Sequence, residues 1–172
     1  DAGGVVKALA HLARFAALAR AMGVERVEAL ATEAVRAASD GGDFVAEAEV
    51  ILGTPINILK GEAEAQASAY GVVSGIPGAD GMMGDLGGGS LEIVTLDHGV
   101  PGSYATLPIG SLRLHESAGS DIVKAGALVD KALESGDWLG AIKGRAFYPV
   151  GGAWRAFAAV HMNQQSYPLH VV

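Results

Sequence analysis

The 172-residue chain contains no cysteine. That excludes disulfides, thiolate zinc sites and cysteine nucleophiles together, and it fits an intracellular setting. Long apolar runs are missing too: charges or glycines interrupt every hydrophobic stretch short of the ~20 residues a membrane helix requires. No membrane partner is expected. The first residues, Asp1-Ala2-Gly3-Gly4, lack the basic start and apolar region of a secretory leader. Without an initiator Met the chain reads as a processed or internal piece, and a cytoplasmic location is expected. Basic residues are scarce, 12 Lys and Arg against 19 Asp and Glu, for a formal net charge of −7. A broad nucleic-acid surface needs clustered Lys and Arg, so none is expected. A local anion site survives this argument, because a few cations converging in a cleft hold phosphate even on an acidic protein. His11, His98, His115, His161 and His170 show no metal-ligand spacing. Ser74, Ser90 and Ser111 sit in no G-x-S-x-G elbow.

What is present is enough for a folded core: half the residues are hydrophobic and only 18% are charged. Apolar residues at Val5, Leu9, Leu12, Phe15 and Leu18 have helical spacing, with Gly23 as a stop. This alanine-rich helix is expected to pack in the core. A short strand follows at 27–31, then Thr32 as cap of a helix over 33–38. Another helix is expected over 44–52, after the break "SDGGDF", then a strand at 56–59 and a helix over 62–73. Alternating helix and strand point to α/β architecture. The glycine- and proline-rich "SGIPGADG", 74–81, reads as a linker. Beyond it three strands are expected, at 82–86, 91–96 and 103–107. A helix over 122–133, a short helix at 138–142, a strand at 146–150 and a helix over 154–164 complete the pattern.

One stretch in this pattern points to chemistry. "GDLGGGSLEIV", residues 84–94, places three glycines between two β-prone runs, directly after Asp85. No Gly-Lys-Ser/Thr triplet is present, and a strand rather than a helix follows, so neither common phosphate fingerprint applies. The expected geometry is a hairpin whose tip bares its backbone, a nest for an anion, with the Ser90 hydroxyl beside it and Asp85 placed to hold a metal ion or its water. A tight turn with glycines at positive φ is the plainer alternative, and it accounts for about two of the three.

The stretch resembles the second phosphate loop, D-hydrophobic-G-G-G-S-x-E, of the exopolyphosphatase/guanosine pentaphosphate phosphohydrolase family, part of the actin-like ATPase superfamily. "ATEAVRAASDGGDF" is similar to that family's A-T-x-A-x-R segment. "ILKGEAEAQASAYGV" is similar to its I-x-G-x-E-E-A-x-x-x-x-G-V segment, and "FYPVGGAWRAFA" to its V-G-G-T/S-x-R-A-L turn into a helix. The matches keep the family's order over about residues 27–160. Two features depart from the pattern. The family's upstream D-x-G-S-N-S hairpin has no counterpart, and Ala63 and Gln66 stand where it carries Glu and Arg.

The resemblance implies an actin-like, ribonuclease H-like two-lobed α/β fold with mixed sheets flanked by helices. Residues 1–77 would be the later part of the first lobe and 78–172 the second, with a hinge near 74–81. It implies Mg2+-dependent release of terminal phosphate from polyphosphate or guanosine pentaphosphate in a cleft between lobes. Glu64 would position the attacking water. Gly87, Gly88, Gly89, Ser90, Arg36, Gly151 and Gly152 would bind phosphate, and Asp85 would hold the metal. Glu92 and Arg155 are left without a role, and a homodimer is left open. With the first hairpin absent, these residues alone are expected to be inactive. Two other readings remain: a kinase of the same superfamily using ATP, and a non-catalytic regulator that binds a phosphorylated ligand.

Overall fold

A computed structural model describes residues 2–134, 136 and 143–165. The chain divides into two compact units, Asp1–Lys60 and Gly61–Val172. The helix expected at 138–142 lies outside the described residues.

The first unit contains α1 (Ala2–Ala21), β1 (Ala29–Ala31), α2 (Glu33–Arg36), α3 (Gly41–Leu52) and β2 (Ile56–Ile58). β1 and β2 pair in parallel, Leu30 opposite Asn57. α3 starts three residues earlier than periodicity predicts: Asp40 is its cap residue, and its carbonyl accepts from Phe44 N–H at 3.0 Å. α1 packs against α3, yet among its described side chains only Ala16 is buried, while Phe15 and Leu18 stay exposed. The core role expected for α1 is therefore confined to one small residue.

The second unit contains α4 (Gly61–Gly75), β3 (Gly81–Leu86), β4 (Leu91–Asp97), β5 (Val100–Leu107), α5 (Ser111–Ala118), α6 (Ile122–Leu133), β6 (Ala146–Val150) and α7 (Gly152–Gln164). Its four-stranded sheet runs in the order β5-β4-β3-β6. β3 pairs antiparallel with β4 and parallel with β6, so the sheet is mixed. Strand side chains alternate between the two faces, and each face has its own cover. Met83, Val94 and Leu96 pack with Ala65, Ala69 and Ala79, which are fully buried. The small side chains on α4 let that helix lie close to the sheet. Met82, Ile93, Leu107 and Ile109 form the opposite layer, against Leu114 of α5 and Val129, Ala132 and Leu133 of α6.

α4 belongs with this second sheet, so the compact units meet at Lys60/Gly61, whereas the lobe boundary expected from the sequence follows the helix, after residue 77. The 74–81 stretch is a packed turn within the second unit. Ile76 N–H donates to Val72 O at 2.8 Å and Ala79 N–H to Ile76 O at 2.9 Å.

Candidate functional site

The apolar α4-facing layer ends in carboxylates at the glycine end of the hairpin. The register places Met83 opposite Val94 and Asp85 opposite Glu92. In the first turns of α4, Glu64 and Ser68 lie four residues apart and therefore on one side of the helix. Both are half-buried, next to the buried Ala65 and Ala69. The Ser68 hydroxyl donates to Asp85 Oδ2 at 2.6 Å. The Ser90 hydroxyl donates to Glu92 Oε1. Glu92 is only 2% exposed. Burial pushes its carboxyl above the usual range; the Ser90 bond opposes this, and the charges of Glu64 and Asp85 reinforce it. The helix, β3 and β4 thus gather three acids.

The turn between β3 and β4 is closed by Gly87 N–H donating to Ser90 O at 3.0 Å. None of Gly87, Gly88 and Gly89 has a positive φ, which corrects the alternative that explained them by left-handed backbone. Their carbonyls are instead held from outside. Ser111 N–H donates to Gly87 O at 3.0 Å, Leu112 and Arg113 N–H donate to Gly88 O at 2.9 and 3.1 Å, and Gly110 N–H donates to Gly89 O at 3.3 Å. All four donors belong to the start of α5 or to its cap residue. Among the described residues, no acceptor takes the N–H groups of Gly88, Gly89 and Ser90. A trans peptide sets its N–H opposite its C=O, so these three amides face away from α5. The loop that presents these amides is held from behind by a helix that the sequence did not reveal.

Asp85 also borders the start of α7. Parallel pairing sets Val150 opposite Asp85, and Gly151 follows as the cap residue with φ +106°. A methyl group at Gly151 would lie 2.9 Å from both Asp85 Oδ1 and Leu86 O. Trp154 fixes the helix by donating its indole N–H to Gly84 O at 3.1 Å, its ring edge-on to Phe147. Gly152 opens α7, where unsatisfied N–H groups favour anions. Arg155 is exposed on the same helix, its N–H donating to Gly151 O at 3.3 Å.

The second unit therefore brings together Glu64, Asp85, Gly87, Gly88, Gly89, Ser90, Gly151 and Gly152. Arg36 belongs to the first unit, where its guanidinium donates to Leu59 O and to Glu33 Oε2, the latter at 2.6 Å. Sequence reasoning missed Ser68, Gly110 and α5. Leu112-Arg113-Leu114 alternates like a strand and hid the helix; the available signal was a helix-sized stretch between Gly110 and Gly119.

At the other end of the hairpin, Asp80, Asp97 and His98 bring potential ligand atoms within 4.8 Å of one another. Arg145 occupies Asp80 there through two nitrogens and also donates to Leu96 O at 2.6 Å. This group is an exposed ion-pair network.

A mixed sheet with helices on both faces, a glycine turn joining its two central strands and acids around that turn define an α/β protein. The model of the Ppx/GppA phosphatase family matches residues 4–169, and the chain belongs to that family. An exopolyphosphatase from Cytophaga hutchinsonii superposes with a TM-score of 0.84 at 20% identity, over 96% of this chain and 56% of its own. An exopolyphosphatase-like protein gives 0.78 at 25% identity, over 95% and 55%. The Aquifex aeolicus PPX-GPPA enzyme gives 0.70 at 24% identity, over 95% and 56%. The chain spans a little over half the length of these structures.

Proposed function

We propose that this chain carries the phosphate-gripping and water-orienting part of a phosphohydrolase that removes terminal phosphate from inorganic polyphosphate or guanosine pentaphosphate. The observation that carries the reading is the set of outward amides on Gly88, Gly89 and Ser90, beside Asp85 and Glu64. Such amides accept phosphate oxygens without side-chain rearrangement, and preorganised donors of this kind stabilise developing negative charge. The start of α7 at Gly151 and Gly152 offers further N–H groups on the other side of Asp85.

Glu64 receives the role of orienting the attacking water and taking its proton, as a carboxylate general base does. Its position on α4 is set by the burial of Ala65 and Ala69 on either side of Ser68, so it is held on structure rather than on a free loop. Ser68 orients Asp85 by occupying Oδ2. The donor set here is all carboxylate and hydroxyl oxygen, which suits a hard cation such as Mg2+, and Asp85 would hold it directly or through water. Bound there, Mg2+ would neutralise charge on the phosphate oxygens. The charges of Glu64 and Asp85 make ionisation of Glu92 more costly, and such a gathering of acids fits a site that receives a cation.

The test is hydrolysis of tripolyphosphate by the full-length protein in 18O-labelled water with Mg2+. Label in the released phosphate is expected. Transfer to an added hydroxyl or carboxylate acceptor, with no label in phosphate, would make the protein a kinase; no turnover of either kind would leave a phosphate-binding regulator.

A further inference from the structure

Helix N-termini normally leave their first N–H groups unsatisfied. At α5 those groups are engaged, and all by one loop: Ser111, Leu112 and Arg113 N–H, joined by that of Gly110, bond to the carbonyls of Gly87, Gly88 and Gly89. Each bonded carbonyl belongs to the same peptide unit as one of the outward amides. A hydrogen bond to the carbonyl fixes the plane of that unit and polarises it, strengthening its N–H as a donor by about 10–30% per bond.

The contact requires unusual proximity. A methyl group at Gly110 would lie 2.3 Å from Ser90 N and 2.4 Å from both Gly88 C and Gly88 O. Gly110 has φ −62° and ψ 155°, a conformation open to any residue. Its glycine identity therefore serves close approach to the loop, not backbone freedom. A methyl at Gly88 would likewise meet Leu112 Cδ1 at 3.0 Å. A side chain there would push on α5.

We propose that Gly110 and Ser111 are positioning residues for phosphate, aiming the glycine-loop amides from behind without touching the substrate. This rests on the reading of the loop as a phosphate site given above. It also gives α5 a task different from that of an anion-binding helix, since its own N–H groups are directed to the loop.

Ser111→Pro breaks the hold on Gly87 O, which Ser111 makes with its N–H and its hydroxyl. Ser111 is the first residue of α5, a position where proline suits a helix, and Gly110 already has the extended conformation favoured before proline. The substitution removes the N–H that holds Gly87 O and sets a ring carbon against that oxygen, so the loop carbonyl must move, while the helix itself can still form. Ser111→Ala keeps that N–H and loses only the hydroxyl. Gly110→Ala adds the clash without backbone strain. Binding of tripolyphosphate to the full-length protein is measured by calorimetry, with KM, kcat and the thermal midpoint alongside. Ser111→Pro should weaken binding roughly five- to tenfold, the worth of one hydrogen bond, and raise KM more than it lowers kcat. Its midpoint should fall, because a bonded N–H is lost, so binding is compared at a temperature well below the midpoint of each variant. Gly110→Ala should weaken binding further, and Ser111→Ala should remain nearer the parent than Ser111→Pro. If Gly110→Ala fails to fold, Ser111→Pro decides. A parent that binds tripolyphosphate and a Ser111→Pro variant that binds it equally would overturn the positioning role and leave the loop as a phosphate site. A parent that binds none would overturn both.

Discussion

Asp85 and Glu92 stand opposite each other across the β3–β4 hairpin, and each carboxylate accepts from a serine, Ser68 for Asp85 and Ser90 for Glu92. Two acids on adjacent strands of one sheet face repel. The pair persists because both are hydrogen-bonded and the apolar layer beneath them, from Met83 and Val94 to Ala65 and Ala69, holds the strands and α4 together.

Glu92 is the member whose carboxyl is raised, by burial first and then by Glu64 and Asp85 against the opposing Ser90 bond. A carboxyl raised in the folded state stabilises the protein fully below its unfolded pKa, and that contribution is lost as pH rises through the folded value. Glutamine resembles the protonated form and still accepts from Ser90. Without divalent cation, Glu92→Gln should raise the thermal midpoint at about pH 7.5, by about 2–4 °C for each kcal/mol of repulsion removed. The gain should shrink as pH falls through the raised folded value toward the ordinary 4.5. A gain that is absent at neutral pH, or constant across the range, would show that Glu92 is not under this strain.

Gly151→Ala should be costly for two separable reasons. The φ of +106° is unfavourable for alanine by about 1–3 kcal/mol, and the new methyl would press on Asp85 Oδ1 and Leu86 O. Urea unfolding is expected to show a loss of at least that size. Phosphate release should fall beyond what the lost stability explains when measured well below the midpoint. Parent-like stability would mean that α7 can enter the sheet by another backbone path.

The other end of the hairpin has a pH signature of its own. The Arg145 hydrogen bond lowers the Asp80 carboxyl; this contribution is present above the unfolded pKa and is lost as pH falls through the folded one. The Asp97 bond, with the charges of Asp80 and Asp97, raises His98; that contribution is present below its unfolded value and is lost as pH rises through the folded one. Asp80→Asn should therefore lower the thermal midpoint more at about pH 6, where both partners act, than at about pH 8.5, where His98 is neutral. Added salt should reduce the difference, since these groups face solvent. An equal effect at both pH values would remove His98 from the network.

Some of this was readable from local chemistry. α6 and β6 lie where their periodicity places them, and Asp121 caps α6 by accepting from Lys124 N–H at 2.9 Å, a signal contained within four residues. The hairpin was readable because glycines separate two strand-like runs. Other features depend on what packs against a residue and left no local trace. Glu92 occupies a strand position that reads as solvent-facing, and α4 buries it. Ser68 gains its role only when α4 lies over β3. The three glycines suggested a turn needing positive φ, whereas α5 demands the closeness. That helix was itself concealed by the alternating Leu112-Arg113-Leu114. Arg36 was recognised by pattern, and its observed partners, Glu33 and Leu59, lie in its own unit.

The central claim is that Glu64 activates water at the phosphate bound by the glycine loop. Its most direct test is Glu64→Gln in the full-length protein, comparing tripolyphosphate hydrolysis with tripolyphosphate binding in Mg2+. Glutamine keeps the size and hydrogen-bonding reach of the side chain while removing its basicity. The expected result is a fall in kcat of about 10²–10⁴-fold, the usual contribution of one general base, with the dissociation constant changed by less than about threefold. Turnover at the parent's rate, with binding intact, would contradict the assignment and require the base to come from another residue.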